Sequence, residues 1–420
     1  MSAQPRVLVL GGGFAGLEAA FLLRMRLHDR VALTVVSDRD SFLFRPNLIY
    51  VPFGADPEQF VIPLDKPLGR RGIAREQGRI GEVDTDARRV TLEDGRALDY
   101  DRLIVATGSG VRPEEIPGLA EHACTIWEMA SLVDLRGRLE AVRDDAHRGK
   151  ETGVLFLVPP NNKCAGPLYE LVFMFETWLR RSNVRDRVRI TWSTFERSYI
   201  QAFGPRLHEV VTKEFAERGV DGHVTEVVTE VTADEVRYAD GSTRRFDLLI
   251  SFPPYISAVT YPGLPSDDRG FLKTDFESRL VAGQEHVYAP GDAGDFPIKQ
   301  AFLAFLQADA VASTLASELG GVEPATPFDP VSMCIMEMFD NATFAQVPLE
   351  LTGDPVRPVR VRPGAEDDYK VGVSPMWRLG KKMLGMAIPM RFSAGEPFHA
   401  GRGWQLMDVG LKGMKGILAD

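Results

Sequence analysis

The chain is poor in cysteine. Among 420 residues there are three, Cys124, Cys164 and Cys334. No Cys-x-x-Cys, His-Glu-x-x-His or zinc-type spacing occurs, which argues against a zinc ribbon, a zincin helix or a disulfide scaffold. The usual reading of such scattered thiols is inert core. A run of about 18 uncharged apolar residues is also missing, so no membrane-crossing helix is expected. Basic residues are in the minority, 49 Lys and Arg against 59 Asp and Glu, and the net charge of -10 lacks the footprint of a nucleic-acid binder. The opening MSAQPRVLVLGGG has too short an apolar stretch for a secretory signal, so a cytoplasmic location is expected. The length suits two or three domains.

What the sequence does have begins at residue 6. RVLVL (6–10) reads as a buried parallel strand, GGGFAG (11–16) as a glycine turn, LEAAFLLRMRL as a helix apolar all round, and VALTVV (31–36) as a second strand. In this strand–turn–helix context Gly11, Gly13 and Gly16 permit a tight turn, close approach of a pyrophosphate, and close packing of helix on strand. The helix N-terminus favours the anion. The cofactor expected is FAD. The acid that usually binds the ribose is replaced by Ser37, with Asp38 next, and either could hydrogen-bond a ribose. Two further strands, 101–109 and 286–294, end in Ala106-Thr107-Gly108 and Gly291-Asp292, where strand ends line a ligand crevice. Segments 82–92 and 224–238, each followed by an Asp-Gly turn, read as β meanders.

A second unit opens with GVLFLV (153–158), but its turn is PPNNKCAG. Proline lacks an N–H, and asparagine and lysine side chains obstruct the approach of a pyrophosphate. A nicotinamide dinucleotide has no evident seat there. Cys164 occupies the place instead, at the start of a helix, where the dipole and Lys163 are expected to lower its pKa.

The signatures GGGFAG, ATGS (106–109) and APGDAG (289–294), in that order, resemble the flavoprotein reductases with two dinucleotide domains. PPNNKCAGPLYELVFMFETWLRR (159–181) and CIMEMFDNATFAQVP (334–348) resemble the two redox-cysteine motifs of the sulfide:quinone oxidoreductases and the related flavocytochrome c sulfide dehydrogenases. The resemblance covers about residues 5–350. It implies an α/β fold with two Rossmann-like domains. The first is residues 1–115 with 275–330 and binds FAD; the second, 116–274, lacks the NAD glycine motif; 331–420 form a C-terminal membrane-associating region. The implied FAD contacts are Gly11, Gly13, Phe14, Ala15, Gly16, Ser37, Asp38, Ala106, Thr107, Gly108, Gly291, Asp292, Lys299 and Gln300. The resemblance further implies that Cys164 carries sulfur, that Cys334 is the thiolate nearer the flavin, and that Glu170, six residues after Cys164 and nearly two turns along the same helix, moves a proton. Cys124 in HACTIWEMA matches the family's third cysteine with a one-residue shift. A histidine common in quinone-reducing members is replaced by Gln201 and Ala202 in FERSYIQAFG.

The last fifty residues carry seven Lys and Arg against three Asp and Glu, opposite in sign to the chain as a whole. Trp404, Met407, Leu411, Met414 and Leu418 recur at spacings of 3, 4, 3 and 4, and 375–390 is similarly apolar and basic. These features suit an anchor in a membrane surface that admits a quinone, with Phe339, Phe344 and Phe392 as ring contacts. The competing expectation is a helix packed on the protein's own core or on a second subunit. The leading expectation is thus a peripheral sulfide:quinone oxidoreductase on the cytoplasmic side of a membrane, with a homo-oligomer left open. The alternatives are a type II NADH:quinone dehydrogenase, the flavin subunit of a cytochrome-linked sulfide dehydrogenase, and a non-catalytic redox-sensing flavoprotein.

Overall fold

A computed structural model describes residues 4–321 and 324–419, with only the backbone of Arg402. Five parallel strands form the first sheet, in the order Val287–Tyr288, Arg102–Val105, Arg6–Leu10, Ala32–Ser37, Ala74–Gln77. The central strands read as continuous apolar runs because both faces are covered. Helix α1 (Phe14–Leu27) lies on one face, and its residues Ala15 to Leu23 are all buried. The helix is therefore apolar all round, as its sequence predicts: it sits between the sheet and a later helix of the same domain. Each fully buried Leu or Phe of this layer contributes roughly 1.5–3 kcal/mol.

The second sheet is also parallel, in the order Ala123–Thr125, Leu248–Ser251, Thr152–Val158, Val188–Thr194, Val220–His223. Thr152–Val158 is buried at every position and feeds helix α2 (Gly166–Arg181). Each sheet carries a three-stranded antiparallel meander, 80–99 and 228–245, inserted before one of its later strands. The chain then returns to the first domain, where helix α3 (Ala301–Gly320) packs on α1.

The C-terminal part is an antiparallel sheet of Val331–Glu337, Ala342–Leu351 and Lys370–Ser374, with Val359–Val361 beside the middle strand. Two helices lie against it, α4 (Pro375–Ser393) and α5 (Gly401–Leu418). No helix among the described residues is long and apolar enough to cross a membrane.

The α5 stripe corrects an expectation. Trp404, Met407, Met414 and Leu418 pack against the protein's own core, so this face does not look outward. The exposed apolar residues are a different set: Leu406, Val409 and Ile417 on α5, and Met376, Leu379, Met383, Met386 and Met390 on α4. The α4 residues recur at three and four and make one continuous helical face.

Candidate active site

The carboxyl ends of the first sheet's strands, the N-terminus of α1 and the start of α2 enclose a cavity of about 1100 Å3. Gly11 has φ +114°, and a Cβ there would stand 2.2 Å from the Ala106 carbonyl oxygen. A Cβ on Gly16 would stand 2.0 Å from that of Gly11. Strand, turn and helix therefore touch backbone to backbone. A Cβ on Gly13 would meet nothing within 4 Å, because it faces open space at the helix N-terminus, which has neither a side-chain cap nor an acid in its first turn.

Gly11, Gly13, Phe14, Ala15, Ser37, Asp38, Ala106, Thr107, Gly108, Asp292, Lys299 and Gln300 all line this cavity. Gly16 and Gly291 do not. They are packing positions, and Gly291, at φ +73°, brings its turn against Ala15. Ser37 is buried at its strand end and Asp38 is exposed. Asp292 accepts from Ser109 Oγ at 3.1 Å, and burial raises its carboxyl above the usual range against the pull of Lys299. Lys299 is 3% exposed, donates to the Gly294 carbonyl and lies 3.8 Å from the Phe271 ring centre; burial brings its ammonium down to about 7. An anion-favouring glycine turn with an adjoining hydroxyl, acid and buried cation fits FAD. The turn would hold the pyrophosphate, Ser37 and Asp38 the ribose, and Lys299 and Gln300 the ring system.

Cys164 and Cys334 line the same cavity as free thiols, 170 positions apart in sequence. Burial raises the Cys164 thiol, and the charge of Cys334 adds to the rise. Cys164 sits in the turn before α2, its N–H donating to Asn162 Oδ1 at 3.0 Å. Cys334 lies mid-strand opposite Ala345. The expected lowering of the Cys164 pKa is not found: burial pushes it up and outweighs the Gly166 N–H at the helix start, while Lys163 answers Asp267 and Asp268 instead. Cys334 is pushed up to about 12 by burial, with Lys381 opposing.

Glu170 stands one turn into α2, not two, because Cys164 precedes the helix. It is buried, accepts from the Glu337 N–H at 2.9 Å and pairs with Lys381. Burial raises its pKa and Lys381 opposes the rise. Its charge adds to the rise that burial imposes on the Cys334 thiol. Cys124 lies on an edge strand of the second sheet, beside Ile250, and does not line the cavity. Phe392 is core, packed on Phe21, Phe42 and Phe305. Phe339 packs on Phe53 under Arg181. Phe344 stacks on Trp377 at 4.2 Å and does not reach this cavity. Gln201 braces its loop by donating to the Val356 carbonyl.

Lys381, Glu337, Tyr50 and Arg378 escaped the sequence reading. Glu337, with no exposure, accepts from the Met338 and Phe339 N–H groups and from Arg378 Nε at 2.6 Å on one oxygen, and from Tyr50 on the other. The available signal was an acid in an otherwise apolar strand, Cys334-Ile335-Met336-Glu337. A buried charge of this kind persists only when paired and hydrogen-bonded.

The turn that replaces the second glycine loop is filled by its own side chains. Asn161, at φ +64°, donates to Glu115 at 2.5 Å, and Asn162 Nδ2 donates to the Phe252 carbonyl at 2.8 Å.

Residues 5–140 match the family described as pyridine nucleotide-disulphide oxidoreductase. A sulfide-quinone reductase of Aquifex aeolicus is 27% identical over 61% of this chain, an alignment that spans 59% of that relative. A type II NADH:quinone oxidoreductase of Mycobacterium tuberculosis is 24% identical over 84% of this chain and 82% of its own. In fold, the chain is similar to the X-ray structure of the Aquifex aeolicus sulfide:quinone oxidoreductase, with a TM-score of 0.83 at 20% identity over 97% of this chain and 96% of that one. The glycine cradle lies within the residues that match the pyridine nucleotide-disulphide oxidoreductase family, and the crevice it opens onto fits FAD.

Proposed function

We propose that this enzyme oxidises hydrosulfide at the Cys164/Cys334 pair and delivers the electrons to a quinone. The observation that carries the reading is the contrast between the two turns: the first keeps an open glycine cradle, and the second is closed by Asn161 and Asn162 and presents Cys164 to the same cavity. Similarity to relatives named for sulfide and quinone supports it. In the oxidised enzyme Cys164 and Cys334 are joined. Hydrosulfide attacks Cys164 Sγ, the bond between the cysteines breaks, a persulfide forms on Cys164, and the electron pair leaves with Cys334 as its thiolate. Lys381 favours that thiolate, and its ion pair with Glu170 places a proton-carrying group beside it. Bound FAD supplies the two-electron carrier between donor and acceptor.

The methionine-rich face of α4 and the exposed apolar residues of α5, with Lys382 and Lys412 among them, suit seating on a membrane surface from which a quinone enters. Peptide mass spectrometry after anaerobic addition of one equivalent of sulfide to the oxidised enzyme tests the chemistry. The account expects one added sulfur on the Cys164 peptide; sulfur on Cys124, or on no cysteine, overturns it.

A further inference from the structure

One wall of the main cavity is aromatic and is tied to the turn that carries Cys164. Asn162 links the two: its Oδ1 accepts the Cys164 N–H at 3.0 Å, and its Nδ2 donates to the Phe252 carbonyl at 2.8 Å. The Asn161 carbonyl accepts the Tyr255 N–H at 3.0 Å. Phe252 and Tyr255 pack on each other at 5.5 Å, and Trp127 meets them at 5.8 and 5.3 Å between ring centres. Arg45 lies over the Trp127 ring at 4.4 Å. All four side chains line the cavity together with Cys164.

This wall offers hydrogen-bond donors that nothing in the protein takes up. Tyr255 is 2% exposed, and its hydroxyl makes no hydrogen bond among the described residues. The Trp127 indole N–H makes none either, and an indole can only donate. Arg45 donates once, to the Trp127 carbonyl at 2.5 Å, which leaves the rest of its guanidinium without an acceptor. Its ion-pair partner Glu128 stands off at 3.8 Å with half its side chain in solvent, and Asp292 accepts from Ser109 instead. Burial presses the guanidinium below its ordinary range, with Glu128 opposing. Donors and a cation held out of water are costly unless an acceptor meets them. A small anion is such an acceptor, and the aromatic faces around it suit polarisable sulfur.

We infer that Arg45, Trp127 and Tyr255 form an anion seat beside Cys164, which receives the sulfur donor as hydrosulfide and holds it for attack on Cys164 Sγ. The inference rests on sulfide as the donor in the reading above and names the residues that select its charged form. Neutral hydrogen sulfide gives the guanidinium no charge to answer, so the seat takes the anion, which is also the nucleophile.

The test uses the full-length, oxidised, FAD-loaded enzyme and thiocyanate, a monoanion with a soft sulfur end. Calorimetric titration gives the thiocyanate Kd, and anaerobic stopped-flow bleaching gives the apparent sulfide Kd apart from the limiting rate. Thiocyanate should bind the parent and raise its apparent sulfide Kd. Arg45→Met should weaken thiocyanate about tenfold or more, as expected for a lost charge-assisted hydrogen bond, and Tyr255→Phe about threefold. Arg45→Lys, which restores the charge, should recover part of the loss. Flavin absorbance checks that each variant holds its cofactor. The same thiocyanate Kd in the parent, Arg45→Met and Tyr255→Phe, or no binding to the parent, overturns the seat. Loss of flavin from both Arg45→Lys and Tyr255→Phe also overturns it, because the donors then serve the cofactor. If Arg45→Met loses the thiocyanate that the parent binds, but sulfide fails to bleach the parent, the sulfide reading falls and the anion seat stands.

Discussion

The two Rossmann turns of this molecule start from the same design and end with opposite contents. Both follow a buried parallel strand and precede a helix. The first is built from backbone: at Gly11 and Gly16 any side chain would strike a carbonyl, and at Gly13 there is only open space. The second is built from side chains, with Asn161 and Asn162 tied to Glu115 and Phe252 and the cysteine left facing the cavity. One turn exposes N–H groups to a phosphate, and the other spends its polar groups internally and exposes sulfur. A shared fold thus carries the carrier's seat in one half and the proposed donor's chemistry in the other, and function is read from the site.

The largest effect should come from breaking the first turn. Gly11→Ala forces a Cβ into the Ala106 carbonyl at a φ that alanine avoids, and the purified protein should be colourless, with no bound flavin by absorbance. Next is the sulfur side. Cys334→Ala should keep the flavin spectrum but slow sulfide-driven bleaching by about three orders of magnitude or more, measured by stopped flow. Bleaching at the parent rate would end the redox-pair model. Third, Asn162→Ala should unbrace the second turn at a cost of about 1–3 kcal/mol, read as a lower Tm, without creating a response to NADH.

The smallest effect concerns pH. Burial and the neighbouring Asp309 raise Glu18 to about 8 in the folded protein, above its ordinary value of 4.5. The folded state therefore holds a proton that the unfolded chain releases earlier. The stabilisation is complete below about 4.5 and is lost as pH rises towards and through about 8. Chemical denaturation across that window should show stability falling with pH, and Glu18→Gln should flatten the fall.

Much of the first turn was legible in the sequence because its logic is local: strand, glycines and helix are neighbours along the chain. The closed second turn was legible for the same reason. What pairs across the fold was not. Cys164 and Cys334 line one cavity only because α2 and the C-terminal sheet share a wall, and the resemblance implies that shared site while the spacing does not. Lys381 was read as part of a basic surface helix, yet it turns inward to Glu170. The helix terminus that predicts a lowered Cys164 pKa is visible in sequence, whereas the surrounding burial that raises it is not. The α5 stripe exists as its spacing predicts, but it faces the protein's own core. With apolar residues on both faces of α5, periodicity locates a face without saying what covers it.

The most direct test sets donor against donor. FAD-loaded enzyme is mixed anaerobically with sulfide or with NADH in separate stopped-flow runs while the flavin spectrum is recorded. The account predicts rapid bleaching by sulfide and none by NADH. Rapid bleaching by NADH with no response to sulfide would contradict it and make the second turn a nicotinamide site after all.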